Sequence, residues 1–124
     1  MNTTRLRKLR SLLIFGVTFS VLCVVPMLSS ATPATSVTIV NNSSGSIRHL
    51  YVSHVNADDW SGDQLNNSTI DAGQSVTISN IACDQQQMKL IGENQDGCFV
   101  STEVSCGGST TWTITNSTAA DCGQ

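Results

Sequence analysis

Apolar and polar residues alternate with a period of two through most of the chain after residue 35, a pattern typical of short β-strands. Gly, Asn, Asp and Ser interrupt the alternation at intervals of about ten residues, as expected for turns between strands, and no helical period occurs. The pattern predicts an all-β fold, a small antiparallel β-sandwich of six to seven strands, with a small closed barrel as the alternative. The predicted strands cover residues 36–41, 47–55, 75–81, 87–94, 98–104 and 110–115.

The second predicted strand does not keep a simple alternation. Leu50 and Val52 share one face, whereas Ile47, Tyr51 and Val55 share the other. A bulge would bring the apolar residues back into phase, and partial burial of both faces is the alternative.

The most specific local prediction is a hairpin over residues 87–104. A two-residue turn would pair Leu90 with Glu103, whereas a three-residue loop over 95–97, with its glycine in the left-handed conformation, pairs Leu90 with Thr102. Because a slip of one residue turns every side chain to the other face, the apolar pattern favours the three-residue loop.

Residues 1–31 have the pattern of a secretory signal peptide. Four basic residues precede an apolar run over 12–25, and Pro26 and several small residues follow it. Cleavage is expected after Ala31, with Ala34 as the alternative site. The remaining residues, 32–124, would form one β-sandwich domain that is secreted or periplasmic and has no stable membrane insertion. A retained membrane anchor is the competing interpretation, which the polar interruptions of the apolar run disfavour.

The domain that remains would be strongly acidic. It keeps two basic residues, Arg48 and Lys89, against nine acidic ones, which gives a net charge of −7. A phosphate-binding surface requires clustered Lys and Arg. The charge therefore argues against nucleic acid and anionic lipid as partners, and it leaves an unknown protein or a glycan open.

Four cysteines follow the predicted cleavage site, and an even number in a small exported domain indicates two disulfides. In the predicted hairpin, Cys106 lies at the end where Cys83 enters. An antiparallel return over 110–115 would bring Cys122 back towards Cys98. We therefore predict the pairs Cys83–Cys106 and Cys98–Cys122. Zinc is not expected, because no C-x-x-C spacing occurs.

The segment from 56 to 68 has no period of two, and long loops of this kind are often functional. Trp60, in this loop, could stack on a sugar or anchor a protein partner. Alternatively it folds back over an open end of the sandwich, which we favour because so small a domain can hardly leave one of four aromatic residues outside. The candidate binding residues of the loop and the neighbouring strand are Arg48, Tyr51, Asp58, Asp59, Trp60 and Asp63.

The same loop offers a weak candidate for calcium. Asp58, Asp59 and Asp63 could supply oxygen ligands, but their spacing does not match the twelve-residue calcium loop. The alternative is that these aspartates cap turns and face water. No cofactor is predicted.

The sequence does not predict an enzyme. The two histidines, His49 and His54, are five positions apart and therefore lie on opposite faces of a regular strand. Ser53 beside His54 is not a nucleophile–base arrangement, and no G-x-S-x-G elbow occurs.

One combination of short motifs resembles small exported bacterial proteins, mostly uncharacterised, that form a single compact β domain. The resemblance implies the β fold and export, and it implies no activity. Its loop pattern departs from the usual Trp-Gly order, since Ser61 stands before Gly62. The matching residues are Val40-Asn41-Asn42, Leu50-Tyr51-Val52-Ser53, Trp60 with Asp63 and Leu65, Gly73-Gln74-Ser75, and the segment 93–97.

Three functional hypotheses follow from the sequence. The first is a non-catalytic binding or interaction module that uses the loop at 56–65 and the neighbouring strand face. The second is a structural, envelope-associated protein whose loop only closes the sandwich. The third, a small hydrolase, lacks a recognisable nucleophile or base.

Overall fold

A computed structural model of the chain describes residues 34–123 together with Pro26. Seven strands form two sheets, with the orders β3-β1-β6 and β2-β4-β5-β7. The predicted all-β sandwich is confirmed, and neither sheet closes into a barrel. The predicted signal peptide, 1–31, lies outside the described residues apart from Pro26. The strands are β1 (Thr35–Asn42), β2 (Ile47–His54), β3 (Ser75–Ile81), β4 (Gln87–Asn94), β5 (Phe99–Ser105), β6 (Gly108–Thr115) and β7 (Ala120–Asp121).

The core lies between the two sheets and consists of alternate apolar residues of their strands, together with Leu65 and Ile70 from the segment between β2 and β3. Burial of these side chains is the main favourable contribution to folding. Within residues 34–123, no helix is long and apolar enough to cross a membrane. The buried cluster comprises Val37, Ile39, Ile47, Leu50, Leu65, Ile70, Met88, Leu90, Val100, Val104, Trp112 and Ile114.

The β4–β5 hairpin has the predicted register. Leu90 lies opposite Thr102, and the backbone N–H of Asn94 donates to the carbonyl of Cys98 at 2.9 Å. Gly97 has φ 77°, the left-handed conformation that the three-residue loop requires.

Both predicted disulfides, Cys83–Cys106 and Cys98–Cys122, are present, with Cα–Cα distances of 5.7 Å and 4.1 Å. The predicted path of the chain from Cys98 to Cys122 was wrong. The return strand β6 does not lie beside the hairpin, because it pairs in parallel with β1 in the other sheet. Cys122 reaches Cys98 through the short β7, which runs antiparallel to the start of β5.

Of the two alternatives for the second strand, the structure has the bulge. The register between β2 and β4 shifts between Ile47 and His49, and the shift allows both Ile47 and Leu50 to reach the core, with exposures of 2% and 1%. The strand ends at His54 rather than at Val55.

Candidate binding surface

β2 is an edge strand, and the segment over 56–70 runs along its open side. Alternate residues of an edge strand turn their N–H and C=O groups away from the sheet, where they remain free to pair with another chain. In β2 these residues are Leu50, Val52 and His54. All three have partners in the following loop.

The carbonyl groups of β2 accept hydrogen bonds from loop backbone N–H groups. The loop therefore behaves, at these positions, as an irregular additional strand. The bonds run from Ala57 N to His54 O (3.3 Å), from Ser61 N to Val52 O (2.8 Å) and from Gln64 N to Leu50 O (2.7 Å).

The N–H groups of β2 donate to loop side chains at every second position. Oxygen atoms at 59, 61 and 63 thus replace the carbonyl groups of a missing neighbouring strand. This accounts for Asp59 and Asp63, two of the candidate binding residues, whose carboxylates face β2. The bonds run from His54 N to Asp59 Oδ1 (3.1 Å), from Val52 N to Ser61 Oγ (2.9 Å) and from Leu50 N to Asp63 Oδ1 (3.0 Å).

Asp63 has further partners that fix the loop. Its carboxylate also accepts from the Leu65 N–H at 3.0 Å and contacts His49 Nδ1 at 2.8 Å. Burial opposes ionisation, but the hydrogen bonds from His49, Leu50 and Leu65 outweigh it and hold the pKa of Asp63 below its ordinary value. Leu65 itself is buried in the core, so the loop is bonded to β2 and anchored in the interior.

The intervening residues of the loop turn outward, and Trp60 among them lies over the outer face of the four-stranded sheet. Its ring centroid is 5.3 Å from that of Tyr51 and 5.2 Å from that of Phe99. His49 also stacks on Tyr51, with a centroid distance of 6.1 Å. We call these four rings (His49, Tyr51, Trp60 and Phe99) the aromatic strip. Trp60 covers this face and not an end of the sandwich.

The aromatic strip is bordered by carboxylates. Glu93 pairs with both His49 and Phe99 across the strands, and Asp58, two residues before Trp60, is exposed. Burial, followed by the negative charges of Glu93 and Asp63 and a hydrogen bond to Glu93, raises the pKa of Tyr51, so its hydroxyl stays protonated and donates to Glu93. The last candidate, Arg48, is exposed at the bulge of β2, and no ion pair within residues 34–123 includes it.

His54 joins three segments of the chain. Its Nδ1 contacts Asp59, and its Nε2 lies 2.9 Å from Asp84 Oδ1. A neutral imidazole has one donor and one acceptor, whereas an ionised carboxylate only accepts. Both contacts are hydrogen bonds only when His54 is an imidazolium, and the bonds to Asp59 and then Asp84 raise its pKa. The hydrogen bond from His54 lowers the pKa of Asp59 to about 2.

This arrangement makes the stability of the loop dependent on pH. A raised pKa of His54 contributes stability that is complete below its usual 6.5 and is lost as pH rises through the folded value. The lowered pKa of Asp59 contributes stability above 3.8 that is lost as pH falls towards about 2.

We expect the free energy of unfolding, measured with denaturant, to decrease from pH 6 to pH 9. The decrease should be smaller in His54→Asn, whose side chain cannot ionise. An equal decrease in the parent and in this variant would contradict the ionic contact.

His54, Asp59 and Asp84 lie at the rim of a cleft of about 290 Å³, between the edges of β2 and β3. Val52, Ile81 and Met88 are among the apolar residues that line it. The cleft is therefore amphipathic, with an apolar floor and a charged rim.

Among residues 34–123, no nucleophile is hydrogen-bonded to either imidazole. Ser53 is 4% exposed, and its hydroxyl lies 2.8 Å from Ala57 O and 3.0 Å from Asp59 Oδ1, so it is hydrogen-bonded to the loop. Among the described residues, no group of three or more His, Cys, Asp or Glu side chains is arranged to hold a metal ion. Asp59 and Asp63, which the calcium hypothesis requires, accept hydrogen bonds from β2 instead.

The fold and this surface define a disulfide-bonded β-sandwich with one covered sheet edge and an exposed aromatic strip. No family model matches the chain, and no curated protein matches it. Among solved structures, it is similar to an NMR structure of a protein from Eubacterium rectale. The identity is 18%, the TM-score is 0.48, and the match covers 71% of this chain and 82% of the other. No statement about function follows from so distant a similarity.

Proposed function

We propose that the protein is a non-catalytic binding module, secreted or periplasmic, whose aromatic strip binds the sugar rings of a neutral glycan. The exposure of Trp60 carries the proposal. Its side chain is 42% exposed, the only large apolar side chain in the described part of the chain that is so accessible. Isolated exposed apolar residues are common, but this one is one of four rings in mutual contact.

The chemistry of the aromatic strip suits a saccharide. The faces of Trp and Tyr rings provide a flat apolar surface on which the C–H groups of a sugar can pack. The Glu93 carboxylate, which accepts from the Tyr51 hydroxyl, could also accept from a sugar hydroxyl. Within residues 34–123 the only basic side chains are Arg48 and Lys89, so a neutral glycan fits this acidic surface better than an anionic one.

The loop presents Trp60 in a fixed position before any ligand arrives. Six hydrogen bonds to backbone groups of Leu50, Val52 and His54 join residues 57–64 to the edge of β2. A side chain that is already ordered loses less conformational entropy on binding. The two disulfides support the location, because such bonds persist in oxidising compartments.

The proposal predicts that Trp60→Ala abolishes retention of the protein on a neutral polysaccharide. The oxidised domain would be tested for co-sedimentation with cellulose, chitin, starch and xylan. We expect the parent to be retained by at least one of these and Trp60→Ala to lose at least about tenfold in affinity, as is usual for an anchoring Trp. Trp60→Phe, which keeps a flat ring, should retain part of the binding. Retention that is the same for the parent and Trp60→Ala would contradict the proposal.

A structural role for Trp60 is the second candidate, and the burial of Ile91 favours it. Ile91 lies opposite Tyr51 on the outer face of its sheet, yet it is 2% exposed, so side chains of the loop and strand cover it. If this cover is the whole role of Trp60, Trp60→Ala should lower the free energy of unfolding by about 3 kcal/mol. A binding role predicts about 1 kcal/mol, since much of the ring already faces water. Denaturant unfolding distinguishes the two.

A further inference from the structure

On the side where the cleft opens, the edge of one sheet is covered by the loop and the edge of the other sheet is not. On this side β2 ends the four-stranded sheet and β3 ends the three-stranded sheet. The outward backbone groups of β2 are bonded to the loop at each of Leu50, Val52 and His54. A corresponding cover for β3 is not found among residues 34–123.

The register identifies the free groups of β3. Asn41 N donates to Gln74 O at 2.9 Å, and Ile39 and Val37 lie opposite Val76 and Ile78. By the alternation of an antiparallel pair, residues 74, 76 and 78 are bonded to β1, whereas Ser75 and Thr77 turn their N–H and C=O groups outward.

The first part of β3 lacks the features that usually prevent pairing at an edge. Natural edge strands carry charged residues, proline, a bulge or a covering segment. The seven residues Ser75–Ile81 include no charged residue and no proline, and the irregularity in the pairing with β1 lies after Ile78, where Asn80 has φ 57°. The strand therefore offers unpaired backbone groups on an accessible edge, which is the arrangement used in recognition by strand addition.

The cleft supplies a side-chain pocket next to this edge. Asn80 and Ile81, at the end of β3, form one wall of it, and no residue of β6, the other edge strand of the same sheet, lines it. A strand added to β3 could place a side chain in the cleft, over the floor of Val52 and Met88.

The charges near β3 favour a basic partner. Asp71 precedes the strand and Asp84 follows it, and both are exposed. Asp84 and Asp59 together outweigh the single positive charge of His54 at the rim. Residues 34–123 as a whole carry two basic and nine acidic residues, so the electrostatic complement is positive.

We propose that β3 is a docking edge for an extended, basic segment of a partner protein, which adds to the three-stranded sheet as a fourth strand and inserts one apolar side chain into the cleft. The site is separate from the aromatic strip. It depends on backbone pairing for affinity, and on the cleft and the acidic residues for choice of partner.

The probe is a synthetic nine-residue peptide that alternates Val and Lys, blocked at both ends, with binding to the oxidised domain measured by calorimetry. We expect Thr77→Pro to weaken binding by at least about tenfold, because proline removes an outward N–H and obstructs the added strand. Thr111→Pro is the matched control. Thr77 and Thr111 lie on either side of Thr38, both are exposed, and each has its N–H on an open edge of the same sheet. Thr111→Pro and Trp60→Ala should bind as the parent does.

Two further peptides keep the test decisive if Thr77→Pro does not fold. The same peptide with alternate backbone nitrogens methylated cannot pair with a strand, and a Val–Glu version reverses the charge. Both should bind the parent at least about tenfold more weakly. Equal binding of the methylated peptide, or an equal loss in Thr77→Pro and Thr111→Pro, would overturn strand addition. If the parent dimerises in sedimentation and Thr77→Pro does not, the partner at β3 is a second copy of this chain. That result would overturn the proposal of a basic partner.

Discussion

Asp63→Ala is expected to lower the free energy of unfolding by about 3 kcal/mol, a large effect for a loop residue. The carboxylate accepts from the N–H groups of Leu50 and Leu65 and from His49. Its removal leaves two backbone donors without partners, and hydrogen bonds to a charged acceptor are worth more than neutral ones. Denaturant unfolding at pH 7 measures the change, and tryptophan fluorescence would report separately on the release of Trp60.

Asp58→Ala is the matched control for Asp63→Ala. It removes the same charge from the same loop, but Asp58 is exposed, and its change should stay within about 0.5 kcal/mol. Similar losses from both variants would mean that the negative charge, rather than the bonding of the β2 edge, stabilises the loop. Asp63→Asn would keep one acceptor oxygen, so an intermediate loss is expected.

Loss of the Cys83–Cys106 disulfide is expected to cost about 3–4 kcal/mol. The bond closes a segment with a sequence separation of 23 residues, and such a closure removes conformational entropy from the unfolded chain. It joins the connection after β3 in one sheet to the end of β5 in the other. Since a domain of this size has a total stability of about 5–10 kcal/mol, the Cys83→Ser, Cys106→Ser variant should lose a large part of it, measured as its midpoint in guanidinium chloride.

The second disulfide provides the comparison. Cys98–Cys122 closes a segment with a similar separation of 24 residues, so the entropic contribution should be nearly equal. Cys98 is buried, but Cys122 is exposed and the bond fixes only the short β7, whereas both Cys83 and Cys106 pack against the core. The Cys98→Ser, Cys122→Ser variant should therefore be the more stable of the two. The opposite order would show that β7 contributes more to the sandwich than its exposure suggests.

The parts of the fold that could be predicted from the sequence are those set by local pattern. The register of β4 and β5 follows from alternation on both sides of a glycine-containing loop, and a single slip would have turned Leu90 to the wrong face. The same argument could not place β6. Its partner is β1, in parallel and 73 residues away at Ser36 and Ser109, and alternation contains no information about which distant strand a segment joins.

The candidate site could be predicted only in part, because the loop has no period of two in its apolar residues. Trp60 and Tyr51 are recognisable as candidates from the sequence, but their contacts with His49 and Phe99, which reach the aromatic strip from different strands, are not. The hydrogen bond that Ser61 accepts from the Val52 N–H was also not predicted. A signal for the covered edge was present, since oxygen-bearing side chains recur at 59, 61 and 63 with the period of a strand. Such a pattern indicates a pseudo-strand only when an edge strand is known to lie beside it.

The order of strands in the three-stranded sheet has a consequence for how the chain comes to be folded. β1 is the central strand, and one of its two neighbours, β6, follows β2, β4 and β5 of the other sheet along the chain. Pairing between strands so far apart is slow, because a long loop must close before any contact compensates for it. The three-stranded sheet therefore cannot be completed until the main strands of the other sheet have been synthesised. β6 also supplies Trp112 and Ile114 to the core, so the core between the sheets is completed at the same late step.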